Sequence, residues 1–255
     1  MAREERPLTE PRIAAARRRT TVAMEVRNHL RDSIVAGRML PGHPLSENEV
    51  AARLGLSRTP VREAFIKLEE EGLIAIYPQY GSFVAPIRVA DIYDGQFVRE
   101  SLECAALAKL VEILQPADAT ALEAAVATQR RHLMGEPDPF FEADEHFHAA
   151  LMQMAGHERA WSVVETAKRQ HDRVRRLTVH DPLKRRAVFK EHSEIVDGIL
   201  RRDPAAALDA MRRHLRGVFV SVEAVMQRHP EFFALTAESA AALPKRPAKP
   251  RRAVA

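Results

Sequence analysis

SENEVAARLGLSRTPVREAFIKLEEEG, residues 46–72, reads as two helices joined by a tight bend. Ser46 is an N-cap candidate, and Glu49, three residues on, completes a capping box. This first helix is short and stops at Gly55. Only Gly55-Leu56 separates it from a second start, with Ser57 as cap and Pro60 in the first turn, where proline is tolerated. Val61, Ala64, Phe65 and Leu68 form the packed stripe of the second helix. Arg58, Thr59 and Arg62 occupy another face near its N-terminal end. Two helices meeting at so short a turn describe a helix-turn-helix, whose second helix enters the DNA major groove by its N-terminal end. Arginine suits both guanine edges and phosphates at that place.

Working outward, Val22, Val26, Leu30 and Ile34 recur every four residues and predict a helix from Thr21 to Gly37, with Gly37 as its C-cap. Downstream, LIAIYPQYGSFVAPI (residues 73–87) carries two β-prone runs, 73–77 and 82–85, around a PQYG turn. Three helices followed by a hairpin predict a winged helix-turn-helix over residues 21–87, with a linker at 88–91.

The run LPGHPLSENEVAARLGLSRTPVREAFIKLEEEGLI, with GSFV after it, resembles the winged-helix domain of GntR-type bacterial transcription regulators. SRTPVREA is its most specific part, and the likeness covers about residues 24–86. The resemblance implies DNA contacts from Arg58, Thr59, Arg62 and the wing-tip Gly81. Where some members place a base-reading arginine on the preceding helix, Asn48 stands here, so the operator sequence is expected to differ.

The chain has 255 residues, a net charge of +4, 46% hydrophobic residues and one cysteine, Cys104. One cysteine excludes an intramolecular disulfide and a cysteine-built zinc site. No apolar run approaches the ~18 residues of a membrane span, and MAREERPLTEPRIAAARRR has no apolar signal region, so a cytoplasmic protein is expected. Residues 1–88 carry a balance of +3, residues 89–234 a balance of −3 and residues 235–255 a balance of +4. A basic first module on a mildly acidic body hints at a polyanion partner for the first part. Residues 1–20 and 235–255 read as disordered basic tails.

Beyond the linker, residues 92–230 are helical throughout. Asp91 caps a helix to about Leu114, closed by Pro116, and a second spans about 117–134. Asp138-Pro139, Asp181-Pro182 and Asp203-Pro204 each read as N-cap plus proline, opening helices of about 139–155, 182–201 and 204–228. A further helix fills about 158–178. The expected fold is therefore mainly α: an N-terminal winged helix-turn-helix followed by an antiparallel all-α bundle of six helices.

FEADEHFHAAL, residues 141–151, breaks the pattern of an ordinary packing face. Phe140, Phe147, Leu151 and Ala155 form the stripe, yet Asp144 and His148 lie on it. His192 sits among Val188, Ile195 and Ile199 on a second helix, and His214 among Met211, Leu215 and Val218 on a third. An Asp and three His satisfy each other poorly by hydrogen bonds, and a buried carboxylate without a cation is costly. A divalent transition metal resolves this, with zinc first and nickel, manganese or iron as alternatives.

DEHFHAAL, EHSEIVDGIL and AMRRHL together resemble the effector-binding FCD domain of the FadR branch of these regulators, in its shorter VanR-like form. The resemblance implies that Asp144, His148, His192 and His214 bind metal and that a small carboxylic acid completes the coordination. VRESLECAALAKL matches the first helix of that domain, whose arginine can meet the acid; Arg99 holds that place. An Arg99–Glu103 surface pair is the bland alternative. His171 and Arg175 are further candidates for the same cavity. The expected partners are a palindromic double-stranded operator, a carboxylate effector and a second copy of the chain, in a ligand-responsive repressor. A DNA-binding dimer with a purely structural metal, and a metalloenzyme fused to a DNA-binding module, are the alternatives. No HExxH motif and no nucleophile–base pair favours catalysis.

Overall fold

The computed structural model describes residues 10–234; residues 1–9 of the expected N-terminal tail and the expected tail 235–255 lie outside the described residues. Residues 10–20 depart from expectation. Helix α1 spans Glu10–Val35, so the first helix starts well before Thr21. Ala and Arg in PRIAAARRR are strong helix formers, which continue the helix upstream.

Val26, Leu30 and Ile34 of α1 are buried against α3 (Arg58–Glu70), where Val61, Phe65 and Leu68 meet them. Between them lies α2 (Glu47–Leu54), whose cap Ser46 accepts the Glu49 N–H at 3.3 Å. Gly55 ends α2 in the left-handed region at φ 65°, which a glycine enters without a Cβ clash. Ser57 takes the N-cap position of α3, but its hydroxyl makes no capping bond. The wing is a three-stranded antiparallel sheet of β1 (Pro44–Leu45), β2 (Ile74–Tyr77) and β3 (Gly81–Val84), ordered β1-β3-β2. Ile74 pairs with Val84 and Pro44 with Phe83. The Ile76 N–H donates to the Glu69 carboxylate at 3.0 Å, tying the wing to the end of α3. At two residues, β1 is too short to show an alternating pattern.

A second compact unit runs from Ile87 to Phe233. Its helices are α4 (Val89–Ile113), α5 (Pro116–His132), α6 (Pro137–Met154), α7 (Glu158–Ala167), α8 (Arg169–Thr178), α9 (Pro182–Leu200) and α10 (Pro204–Arg228). The helix expected over 158–178 is thus two, α7 and α8. Lys168 leaves helical geometry at the break, and its ammonium turns inward to Glu145 and to Asp172. Helix α4 begins at Val89, so most of the expected linker is its first turn, where Asp91 pairs with Arg88 at 2.7 Å. Helix α6 opens at Pro137 rather than after Asp138. Asp181 and Asp203 do cap, accepting the Leu183 and Ala206 N–H groups at 2.9 and 3.0 Å. Two brief strands also escape a periodicity reading. Ile87 in β4 (Ile87–Arg88) and Phe233 at the start of β5 (Phe233–Ala234) are buried in one cluster with Ile92, Val174 and Val222.

Leu107, Leu110, Phe147, Leu151, Ile195, Ile199, Met211 and Leu215 form the centre of the bundle. Helices α9 and α10 approach closely at Gly198, where an added Cβ would stand 2.7 Å from the Ala207 nitrogen. Since that obstacle is backbone, Gly198→Ala forces the two helices apart. A loss of about 1–3 kcal/mol in urea unfolding is expected, as for other overpacked cores; an unchanged midpoint would show that the crossing has slack.

Candidate metal centre and nucleic-acid interface

Asp144 and His148 lie one turn apart on α6, His192 on α9 and His214 on α10. All four side chains turn inward, and one ligand atom from each lies within 4.8 Å of the others. Three are at most 2% exposed, and His214 is 9% exposed. His148 Nε2 and His192 Nε2 each stand 3.1 Å from His214 Nε2, and Asp144 Oδ1 is 3.8 Å from His192 Nε2. The face that looked anomalous in sequence is a convergence of donors.

The outer nitrogens decide what the inner ones carry. His148 Nδ1 lies 2.6 Å from the Glu103 carboxylate. His192 Nδ1 lies 2.9 Å from Gln129 Oε1, and His214 Nδ1 lies 2.9 Å from the Glu191 carboxylate. A carboxylate or amide oxygen can only accept, so the ring proton is drawn to each Nδ1 and each Nε2 is left as a bare lone pair. Lone pairs 3.1 Å apart cannot hydrogen-bond to one another. Nitrogens about 2.05 Å from a shared ion stand about 2.9 Å apart at a right angle and about 3.3 Å apart at the tetrahedral angle. The spacing of 3.1 Å falls between those values, so the donor set fits a divalent cation.

The electrostatics agree. Burial pushes His192 and His214 well below the ordinary imidazole range, and the neighbouring rings add to it, which keeps both neutral. Burial alone would raise the Asp144 carboxyl; the Arg175 guanidinium beside it outweighs burial and holds it well below the carboxylate range. Glu103 is likewise held low, because Arg99 and His148 overcome its burial. Phe147 stacks on His192 with ring centroids 4.2 Å apart, which fixes that ring in place.

Arg99 and Glu103 are buried at 2% and 3% exposure and bonded at 2.7 Å, so the surface-pair alternative is set aside. Glu103 bridges Arg99 to His148, linking α4 to the cluster. Arg175 on α8 pairs with Asp144, with Glu145 at 2.7 Å and with Asp172 at 3.1 Å. The structure therefore gives Arg175 the task of holding Asp144. His171 is fully buried, with Nε2 2.8 Å from the Ile92 carbonyl. Glu103, Gln129 and Glu191 escaped the sequence reading as ring holders. Glu191 stands beside His192 in sequence yet serves His214, a pairing that only the fold reveals.

In the first unit, Arg58, Thr59 and Arg62 are exposed on the first two turns of α3. Arg58 makes an exposed ion pair with Glu47 at 3.2 Å. Gly81 is also exposed and opens β3 at φ 122°, a conformation that disfavours a side chain there. All four expected DNA contacts are accessible to a ligand.

Burial, reinforced by the nearby Arg99 charge, pushes His171 down to about 3. Unfolded, this imidazole takes up a proton near pH ~6.5, so its burial makes stability fall as pH drops from there toward 3. In urea unfolding, His171→Asn is expected to flatten the slope between about pH 6 and 4 by up to about 1.4 kcal/mol per unit. Identical slopes in the two proteins would contradict a buried neutral His171.

Residues 22–84 match the model of the bacterial regulatory proteins of the gntR family, and residues 94–217 match that of the FCD domain. An HTH-type transcriptional regulator in an unstable DNA locus of Streptomyces ambofaciens is 40% identical over 208 residues, covering 82% of this chain and 88% of its own. The HTH-type transcriptional repressor RspR of Escherichia coli K12 is 36% identical over 217 residues, covering 83% and 93%. Among solved structures, a GntR regulator from Rhodococcus sp. RHA1 superposes with a TM-score of 0.67 at 26% identity, covering 80% of this chain and 99% of that one. With both modules matched in order and close relatives along most of its length, this chain belongs to the GntR family of bacterial transcription regulators, with an FCD domain behind its winged helix.

Proposed function

We propose that this regulator senses a small carboxylic acid at a divalent-metal centre held by Asp144, His148, His192 and His214, and that the acid alters the grip of a homodimer on a palindromic operator. The observation that carries the reading is the set of three Nε2 atoms turned toward one another beside a carboxylate, with an acceptor oxygen next to every outer nitrogen. Three imidazoles and one carboxylate favour zinc, with nickel, manganese and iron compatible. When bound, such an ion neutralises the cluster and offers its remaining positions to an acid.

This chain's residues do the rest. Glu103, Gln129 and Glu191 orient the rings. Arg99 turns an unpartnered Nη2 into the interior and meets the carboxylate of the acid. His171 faces the same stretch of α4. Arg175 positions Asp144 and also lines a cavity of about 40 Å³ with Phe140, Phe141 and Thr178. That volume is roughly one water, whose liquid share is ~30 Å³. An acid that uses this space therefore shifts α6 against α8 on entering. Such motion supplies the differential binding that coupling to DNA requires, typically ~1–3 kcal/mol or roughly 5–150-fold in affinity.

On the DNA side, Arg58, Thr59 and Arg62 read base edges and phosphates while Gly81 lets the wing approach the backbone. Arg58 exchanges its exposed pair with Glu47 for the operator at little cost, because such pairs are worth under ~1 kcal/mol. Two copies place two α3 helices on half-sites about 34–36 Å apart. The relative named as a repressor supports repression, relieved by the acid. The copies meet through α4 and α10, where Tyr93, Phe97 and Val220 are exposed and Tyr93 stacks on Phe219 at 4.9 Å.

In a mobility-shift assay with zinc-loaded protein and a panel of small carboxylates, one acid is expected to change operator affinity within that 5–150-fold range. His192→Ala keeps basal DNA binding and loses the response, whereas Arg58→Ala with Arg62→Ala loses DNA binding and keeps the metal. A response surviving in His192→Ala would remove the metal centre from sensing. Separately, Phe97→Glu is expected to give a monomer in sedimentation; an intact dimer would move the interface elsewhere.

A further inference from the structure

Beyond Arg228, where α10 ends, a 3₁₀ turn at Pro230–Phe232 leads into β5 (Phe233–Ala234), the hydrogen-bonded neighbour of β4 (Ile87–Arg88). Pro230 breaks the helix, and the Phe232 N–H closes the turn on the His229 carbonyl at 3.0 Å. The His229 ring stacks on Phe232 with centroids 4.7 Å apart. Phe232 and Phe233 are consecutive and both are buried, so this segment is inserted among other side chains rather than laid on the surface. A two-stranded ribbon is marginal by itself in water, so the packing of the two rings is what holds it.

The strand that β5 pairs with is the one by which the chain enters the helical unit. Residues 22–84 match the winged-helix family, and Ile87 in β4 is the first residue of the second unit. Ile87 is fully buried in one cluster with Ile92 of α4, Val174 of α8 and Val218, Val222 and Val225 of α10. Helix α8 touches β4 as well. The same helix reaches the metal centre. Arg175, next to Val174, pairs with Asp144, and His171, one turn earlier, bonds the Ile92 carbonyl at 2.8 Å. A change of charge at Asp144 therefore acts on a helix that lies against the entering strand. Packed elements pass such shifts on because they do not deform freely, but only while they stay packed. With two residues, β4 has little hold of its own.

We infer that residues 230–234 are a clasp. Phe232 and Phe233 hold β4 against α8, so that the state of the metal centre reaches the winged helix through β4. With the clasp open, the centre still binds its ion but the winged helix no longer responds. This rests on the sensor reading above and adds the route by which the signal leaves the bundle. Phe232 and Phe233 act through β4, as positioning residues.

Hydrogen exchange on the full chain, with and without one equivalent of zinc, tests this. In the unchanged protein, zinc is expected to alter exchange of the amides of residues 82–92 by about fivefold or more, the lower end of an ordinary coupling. In Phe232→Ser with Phe233→Ser, that response is expected to vanish while zinc affinity, measured by calorimetry, is kept. The wing amides 82–85 separate a clasp from plain packing. Loosened packing speeds exchange at 87–92 and leaves the zinc response of the wing in place, whereas an opened clasp removes it. Should the double variant fail to fold, Phe233→Ala keeps Phe232 in the cluster and carries the same measurement. If the wing of the folded variant still answers zinc, the clasp assignment falls and the metal centre stands. The same holds if zinc binds the unchanged protein without altering residues 82–92. If zinc does not bind the unchanged protein, the sensor reading and this inference fall together.

Discussion

Imidazole lone pairs facing each other at 3.1 Å inside a protein repel, and the second unit is arranged as though a positive charge stood among them. Neutral rings are what the burial of His192 and His214 enforces. Proton-accepting groups on the outside of each ring point the bare nitrogens inward. Arg175 meets one oxygen of Asp144 and leaves the other 3.8 Å from His192 Nε2. Two of the helices that supply the donors, α9 and α10, also approach closely, as the backbone contact at Gly198 shows. Anything that changes the charge or coordination at this point acts on α6, α9 and α10 together.

The two units use charge in opposite ways. In the helical unit the ionic groups around Asp144 are desolvated and bonded to one another, so their interactions are strong and geometrically exacting. Lys168, Glu145, Asp172, Arg175 and Asp144 form one such chain across α6 and α8. In the winged-helix unit Arg58 and Arg62 are exposed, where water and salt screen them. Burial therefore separates charges held to fixed partners from charges able to exchange them.

Much of this was legible in the residues because two periodicities coincide with chemistry. The turn at Gly55-Leu56 and the stripe through Phe65 define the helix-turn-helix, and the four polar donors stand out against apolar stripes on three helices. What was hidden depends on contacts between distant segments. Nothing local in Gln129 announces that it holds His192, and Glu103 reads equally well as a surface partner of Arg99. The break at Lys168 follows from acidic groups on α6 and α8 drawing its ammonium inward, which helix propensity does not register. Strands of two residues, as at Pro44–Leu45, have no period to detect.

X-ray absorption at the metal edge, on protein loaded with one equivalent of zinc, tests the central claim most directly. The account predicts a first shell of three imidazole nitrogens with carboxylate oxygen, at about 2.0–2.2 Å. A spectrum without histidine scattering, or folded protein that retains no ion after loading, would contradict it.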